Sequence, residues 1–328
     1  MDKIIKLTPA IKDYVWGGEK LKKYGKTADT NIAETWELSF HKDGLCLCED
    51  GTPLRDAVTA ADLGENVKDF PFFPMLIKLI DAKDNLSVQV HPSDEYALKY
   101  ENSYGKTEMW YIVDAAEGAG IYCGFKRDTS KEEFLRYLDE GKVEELLNFI
   151  PVKKGESYFI ASGTVHAIGA GCLICEIQQN SNLTYRVYDY NRRGADGKLR
   201  ELHVDKAVKV INFGKYSPAV FGGGNENKNG EPDDKINEKT IAECKYFRVR
   251  EIKLDGETKI NNGKSFTAIT VVSGEGKISS EGKISGEGKL SGGNFEENFK
   301  KGDSYFISCG AAATLTGKAT VIATDIPE

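Results

Sequence analysis

The chain reads as short apolar and alternating runs separated by turn residues, the pattern of a mainly β protein. Ser157 to Ile160 is aromatic and β-branched, Ser162-Gly163-Thr164 is turn chemistry, and Val165 to Ile168 resumes the strand before Gly169 and Gly171. Upstream, the prolines of Phe70-Pro-Phe-Phe-Pro74 break any helix and deliver the chain into Met75 to Asp81, MLIKLID, a largely apolar strand with Lys78 and Asp81 embedded in it. A second strand, Leu86 to His91, ends at Pro92, which has no backbone donor to offer. Gln89 and His91 are two apart, so on that strand they project from one face. Further strands are predicted over Glu108 to Val113 and Phe266 to Val272.

Helical spacing is confined to short stretches. Thr52 to Asp69 reads as turn and short-helix material. Ser93 is placed to cap a helix running through Tyr100, with Asp94 and Glu95 in its first turn. Thr129 and Ser130 each offer a capping box with Glu132 or Glu133, and the apolar stripe of Phe134, Leu135 and Leu138 stops at Gly141. Val143, Leu146, Leu147 and Ile150 predict a second short helix closed by Pro151. Lying between strands, this helical excursion is expected to cover one end of a barrel.

One phrase occurs twice. KKGESYFIASG at 153–163 returns as KKGDSYFISCG at 300–310, a constant offset of 147 residues, and the partner of His166 under that offset is Ala313. Aligning YIVDAAEG with TVVSGEG pairs Val113 with Val272 and sets Glu108 against Thr267. Residues 222–240 are rich in Gly, Asn and charge with almost nothing to bury, which predicts a linker. The expected organisation is therefore a first domain over 1–221, the linker, and a second barrel over 241–328 without counterparts of Glu108 and His166. Three near-identical hexads, EGKISS, EGKISG and EGKLSG at 275–292, keep Ile278, Ile284 and Leu290 on one face when extended. An elongated hairpin or loop is expected there.

Composition narrows the function. A chain of 328 residues suffices for two or three domains with their own cores, and a formal charge of −7 argues against a general nucleic-acid binder. No apolar run approaches the ~20 residues that a membrane helix needs, and the N-terminus lacks a signal-peptide core, so a cytoplasmic protein is expected. The seven cysteines are scattered and odd in number. Cys172-Leu-Ile-Cys175 has the letter spacing of a zinc or redox pair, but residues three apart on a strand face opposite ways, which predicts buried structural thiols. Trp16 and Trp36 are expected as packing residues, and His41, before a Lys-Asp-Gly turn, as a loop histidine.

His91, Glu108 and His166 all lie on or beside predicted strands of the first copy, and only a barrel brings them together. Two imidazoles and a carboxylate suit a first-row divalent ion with positions left open for water or substrate. Two packed histidines and an unrelated strand carboxylate satisfy the same letters.

Four ordered motifs add to this: LIKLIDAKDNLSVQVHPSDEYA at 76–97, GKTEMWYIV at 105–113, GTVHAIGAG at 163–171 and QQNSNLTYRVYDYNR at 178–192. Together they resemble the type I mannose-6-phosphate isomerases in their shorter bacterial form, from about Tyr14 to the C-terminus and without the large helical insertion of the long form. The resemblance implies a zinc (Zn2+) enzyme of the cupin superfamily with jelly-roll domains, interconverting mannose 6-phosphate and fructose 6-phosphate. It puts the zinc ligands on His91, Glu108 and His166, a candidate fourth ligand on Gln89 and the catalytic arginine on Arg186.

Such a reaction passes through a cis-enediol, with negative charge building on oxygen. A zinc ion can polarise the carbonyl, and a permanently cationic arginine can stabilise the enediolate. Lys106 is a candidate for proton transfer or for binding the phosphate of the substrate, with Lys78, Gln178, Tyr185 and Asp189 behind it. Two other classes stand beside this one: a metal cupin of another reaction, such as an iron oxygenase, and a non-catalytic sugar-binding cupin. No nucleic-acid or membrane partner is expected, and oligomeric state is not legible.

Overall fold

The computed structural model describes residues 3–194, 197–217, 220–221, 237–280, 283–284, 290–291 and 295–328. Among these, three large antiparallel sheets and one two-stranded ribbon carry the fold. The first sheet has seven strands, in spatial order Val220–Phe221, Ser157–Ile160, Glu108–Ala115, Cys172–Gln179, Met75–Asp81, Glu34–Leu38 and Ala10–Lys12. Facing it is a five-stranded sheet of Tyr185–Tyr188, Val88–Val90, His166–Ile168, Gly120–Phe125 and Leu147–Pro151. The third, seven-stranded, comes mostly from the C-terminal third of the chain. Its order is Ile4–Lys6, Ser304–Ile307, Thr267–Ser280, Ala312–Asp325, Phe247–Asn261 and Glu238–Cys244, with Phe295–Lys300 also paired to Thr267–Ser280.

Alternation along the strands decides what each face meets. In Glu108–Ala115, Trp110 and Ile112 turn inward with Ile80 and Ile174 to pack on Ile121 and Ile168 of the five-stranded sheet. Met109, Tyr111 and Val113 turn outward with Leu79, Cys175 and Ile177 and meet Phe247, Val249, Phe266 and Ile322 of the third sheet. Both faces of this sheet are thus buried, at roughly 1.5–3 kcal/mol for each large side chain. A slip of one residue would drive Glu108 into the apolar outer face, so register is strongly specified. The outer face of the five-stranded sheet, with Val88, Val90, Val165 and Ala167, is covered by Phe134, Val143, Leu146 and Ala207. Most of that cover is the helical excursion, which lies on a sheet face rather than over a barrel end and begins with the helix Lys131–Asp139, whose Glu133 amide is capped by Ser130 Oγ at 3.1 Å.

The repeat is structural as well as textual. Glu108 stands opposite Ile160 in the first copy, and Thr267 opposite Ile307 in the second, as the two offsets require. Cys172 and Cys175 fall in different apolar clusters, on opposite faces of their strand, and burial pushes the Cys172 thiol up to about 11 and that of Cys175 higher still. They are structural thiols. Glu275–Ser280 pairs with Phe295–Lys300, and Lys283–Ile284 with Leu290–Ser291, so the described part of the hexad segment is a long hairpin.

Three expectations are corrected. Ser93 sits at the N-cap of the helix Asp94–Tyr100, but its side chain makes no capping bond. Val143–Leu146 is a single 3-10 turn, and Leu147–Pro151 is a strand paired with Gly120–Phe125. Apolar residues at 143, 146, 147 and 150 fit a helix by spacing, and the sheet edge overrides that spacing. Glu238–Thr240, expected as the end of the linker, begins the strand Glu238–Cys244, while 222–236 lie outside the described residues. Ile4–Lys6, from the other end of the chain, pairs with Ser304–Ile307 and completes the third sheet.

Candidate metal centre and its cavity

Three short segments meet at the open end of the space between the first two sheets. Gln89 is paired with His166 on one side and with Arg186 on the other, which puts all three on neighbouring strands of the five-stranded sheet. Across from them Glu108 leads its strand. His166 Nε2 lies 3.3 Å from Glu108 Oε1, and His91 Nε2 lies 3.6 Å from Glu108 Oε2. The three side chains are at most 1% exposed, with their donor atoms within 4.8 Å of one another.

Backbone carbonyls fix both imidazoles. His91 Nδ1 donates to Leu183 O at 2.8 Å and His166 Nδ1 to Thr164 O at 2.9 Å, which leaves each Nε2 with a free lone pair on the Glu108 side. Burial pushes the His166 pKa down to about 4 and that of His91 well below the usual imidazole value, so both rings are neutral at neutral pH. Glu108 Oε1, fully buried, has no hydrogen-bond donor at all. Two donors each ~2.0–2.1 Å from a tetrahedral zinc stand about 3.4 Å apart, close to the two separations seen here. Neutral imidazoles, a carboxylate oxygen without a donor and this spacing fit a divalent metal. Gln89 presents its amide nitrogen 3.3 Å from His166 Nε2. To serve as the fourth ligand its amide must turn over, because only the oxygen can coordinate.

The surroundings are strongly charged. Lys106 Nζ lies 2.5 Å from Glu108 Oε2, 3.4 Å from His91 Nε2 and 3.5 Å from Glu176 Oε1. Lys78 Nζ bridges Glu176 at 3.3 Å and Glu34 at 3.5 Å, and Trp110 Nε1 donates to Glu176 Oε2 at 2.8 Å. Burial opposes every one of these charges. For Lys78, Glu34 and Glu176 outweigh it and hold the ammonium above its ordinary pKa. For Glu176, Lys106 and Lys78 outweigh it and hold the carboxyl low. For Glu108, burial and the neighbouring Glu176 charge prevail over both lysines and raise the carboxyl.

This network forms the floor of a cavity of about 250 Å³ whose walls include Trp16, Ser87, Gln89, Asn182, Thr184, Arg186 and Arg200. Four cations, Lys78, Lys106, Arg186 and Arg200, face two carboxylates, Glu34 and Glu176. The balance favours an anionic guest. Arg186 spends Nη1 on Glu201 O at 2.9 Å and Nε on Ser87 Oγ at 3.3 Å, and has no carboxylate partner among the described residues. Arg200 is aimed by a two-pronged bond to Asp189, at 2.7 and 2.5 Å.

The structure thus gathers His91, Glu108, His166, Gln89, Lys106, Lys78 and Arg186. It leaves out Tyr185, whose hydroxyl donates to Glu101 and whose ring packs in the outer cluster. Asp189 acts on Arg192 and Arg200, and Gln178 turns its amide nitrogen to the carbonyls of Gln179 and Ser181. Sequence reasoning missed Glu176, Glu34 and Arg200. The signal for Glu176 was the one charge inside CLICEIQQ, standing opposite Lys78, one of the two charges of MLIKLID, in the next strand.

Fold and donor set define a mainly β, cupin-like protein with a candidate metal centre. The chain belongs to the type I phosphomannose isomerases. Residues 4–126 match the catalytic-domain model of that family, phosphomannose isomerase type I. Mannose-6-phosphate isomerase ManA of Bacillus subtilis is 38% identical over 310 residues, spanning 92% of each chain. Mannose-6-phosphate isomerase of Streptococcus mutans is 36% identical over 272 residues, 80% of this chain and 83% of that one. A crystal structure of the mannose 6-phosphate isomerase from Bacillus subtilis superposes with a TM-score of 0.82 at 33% identity, covering 98% of this chain and 99% of the other. Neither the oxygenase nor the non-catalytic alternative draws support from these relatives. No helix among the described residues is long and apolar enough to cross a membrane.

Proposed function

We propose that this chain interconverts mannose 6-phosphate and fructose 6-phosphate, using zinc held by His91, Glu108 and His166 with Gln89 as fourth ligand. The observation that carries the proposal is the convergence of two neutral imidazoles and a donor-free carboxylate oxygen beside a cavity with excess positive charge. Bound there, zinc would supply Lewis-acid polarisation of the sugar carbonyl. The chain's own residues do the rest. Arg186, with N–H groups to spare, stabilises the charge that develops on oxygen as the cis-enediol forms. Lys106 touches the same carboxylate as the two imidazoles, so its ammonium meets the reacting end of the sugar and can donate to a substrate oxygen. Trp16, Leu86 and Ile168 restrict water around that end. Residues 1–221 carry this chemistry, and 241–328 lack the ligands because Thr267 and Ala313 replace Glu108 and His166.

Protein stripped with chelator is expected to lose isomerisation of mannose 6-phosphate and to regain it with zinc. Arg186→Ala is expected to abolish turnover with bound zinc near stoichiometric. A folded, zinc-loaded protein that binds mannose 6-phosphate without producing fructose 6-phosphate would overturn the proposal in favour of a binding module.

A further inference from the structure

Asp94 lies three residues beyond His91 and contacts both the segment that leads into Lys106 and the strand that carries Glu176. Its Oδ1 accepts from the Gly105 amide at 2.9 Å and from Gln179 Nε2 at 2.6 Å. The other end of the Gln179 amide accepts from the Thr107 amide at 2.8 Å, and the Lys106 amide donates to Pro92 O at 3.1 Å. Three consecutive amides, 105 to 107, are thus tied to the turn after His91 or to the strand that carries Glu176. Gly105 is pressed against that turn so closely that a Cβ would stand 2.5 Å from the Ser93 carbonyl carbon. Lys106 and Glu108 follow at once, two apart and on one side of the chain.

The remaining carboxylate oxygen of Asp94 reaches into the C-terminal part of the protein. Tyr246, in the tight turn between Glu238–Cys244 and Phe247–Asn261, donates its hydroxyl to Asp94 Oδ2 at 2.6 Å. Its ring is buried near Phe70, at 6.4 Å between centroids. Lys245 Nζ, exposed, stands 3.6 Å from the same oxygen. Without the tyrosine hydroxyl, solvent and Lys245 are left to hold Oδ2, and the carboxylate is oriented through Oδ1 alone, by Gly105 and Gln179.

We propose that Tyr246 is a positioning residue for the candidate centre: acting through Asp94, it fixes the Gly105–Thr107 segment and so the placement of Lys106 and Glu108. This gives the C-terminal sheet a role in the chemistry beyond covering an apolar face. The kinetic part of the test rests on the isomerase function proposed above; the exchange part does not.

Tyr246→Phe removes the hydroxyl and keeps the ring, so the variant is expected to fold. In the full-length, zinc-loaded protein, exchange of the Gly105 and Thr107 amides is expected to quicken about tenfold, with melting temperature and zinc content retained. Turnover of mannose 6-phosphate is expected to fall about tenfold in kcat with KM within about twofold, short of the ~100-fold that a 1 Å misplacement can cost. In an Asp94→Ala background, Tyr246→Phe is expected to add no further loss. Unchanged amide exchange would overturn the proposal, as would a loss that adds in full to that of Asp94→Ala or that tracks lost zinc. Absence of turnover in the unmutated protein would count against the isomerase function alone, with amide exchange still deciding the positioning role.

Discussion

Lys78 and Glu176 are charges embedded in largely apolar strands, and each is the other's neighbour across a strand pair. Neither is an isolated cost: Lys78 meets Glu34 as well, Glu176 meets Lys106 and Trp110, and Glu108 takes the other side of Lys106. Glu108 is the member left least satisfied, raised to about 7 by burial and by Glu176. A carboxyl raised in the folded state stabilises most below its unfolded value, near 4.5, and gives that contribution up as pH climbs through the folded one. The metal-free protein should therefore weaken between about pH 5 and pH 8, whereas a cation beside Glu108 favours the ionised form and removes the loss. Both imidazoles are neutral with or without metal, so their contribution cancels in the comparison. The gap in melting temperature between zinc-loaded and metal-free protein is expected to widen across that range. Thermal melts at several pH values measure it, and a constant gap would separate Glu108 from the metal.

At this scale the candidate ligands were legible and the charged floor was not. His91, Glu108 and His166 are unusual letters at strand ends, and motif order placed them before any geometry was known. Glu176 and Lys78 acquire meaning only through pairing, which a single sequence does not state. Arg200 is further removed still, since its orientation depends on Asp189, eleven residues back in the chain and fixed by Arg192 as well.

Among the elements, the duplicated strands separate what folds a sheet from what makes a site. Both copies keep the SYFI strand and its register against a longer partner, Glu108 facing Ile160 and Thr267 facing Ile307. The first copy encloses a polar cavity. Around the second, Ile269, Val271, Tyr305, Ala313 and Leu315 form an apolar cluster. Thr267 is 1% exposed, and its hydroxyl already lacks a partner. Restoring the lost carboxylate there, as Thr267→Glu, is expected to destabilise the protein by about 3 kcal/mol, because a buried charge without partners is not repaid by a strand register alone. Urea unfolding measures the effect, and zinc is expected to give no rescue, because Ala313 stands in the second copy where the first has His166. Met75–Asp81, Glu108–Ala115 and Ser157–Ile160 were readable as strands from their apolar and β-branched runs. Two stretches were not: Glu238–Thr240 is too polar to announce a strand, and around Leu147–Pro151 four apolar positions fitted two periods, the choice between them being made by the edge of Gly120–Phe125.

The whole molecule is held together by a core that ignores the expected boundary between 221 and 241. Leu79, Met109, Tyr111, Cys175 and Ile177 from the first sheet share one apolar cluster with Phe247, Val249, Phe266 and Ile322 from the third. Tyr111 donates its hydroxyl to Glu251 at 2.7 Å across the same interface, and Ile4–Lys6 leaves the N-terminal half to pair with Ser304–Ile307. A chain ending at residue 221 would keep all three metal-ligand candidates, yet it would expose that apolar face and leave the Tyr111 hydroxyl and an edge strand unpartnered. With roughly 1.5–3 kcal/mol lost for each large side chain uncovered, the total exceeds the ~5–15 kcal/mol by which whole domains are stable. The shortened chain is expected to lack a cooperative melt and to bind hydrophobic dye, even though the motifs that define the centre are intact. A cooperative melt with zinc-dependent turnover from residues 1–221 would show instead that the first two sheets close their own core. The Tyr246–Asp94 contact could not then be required for placing Lys106.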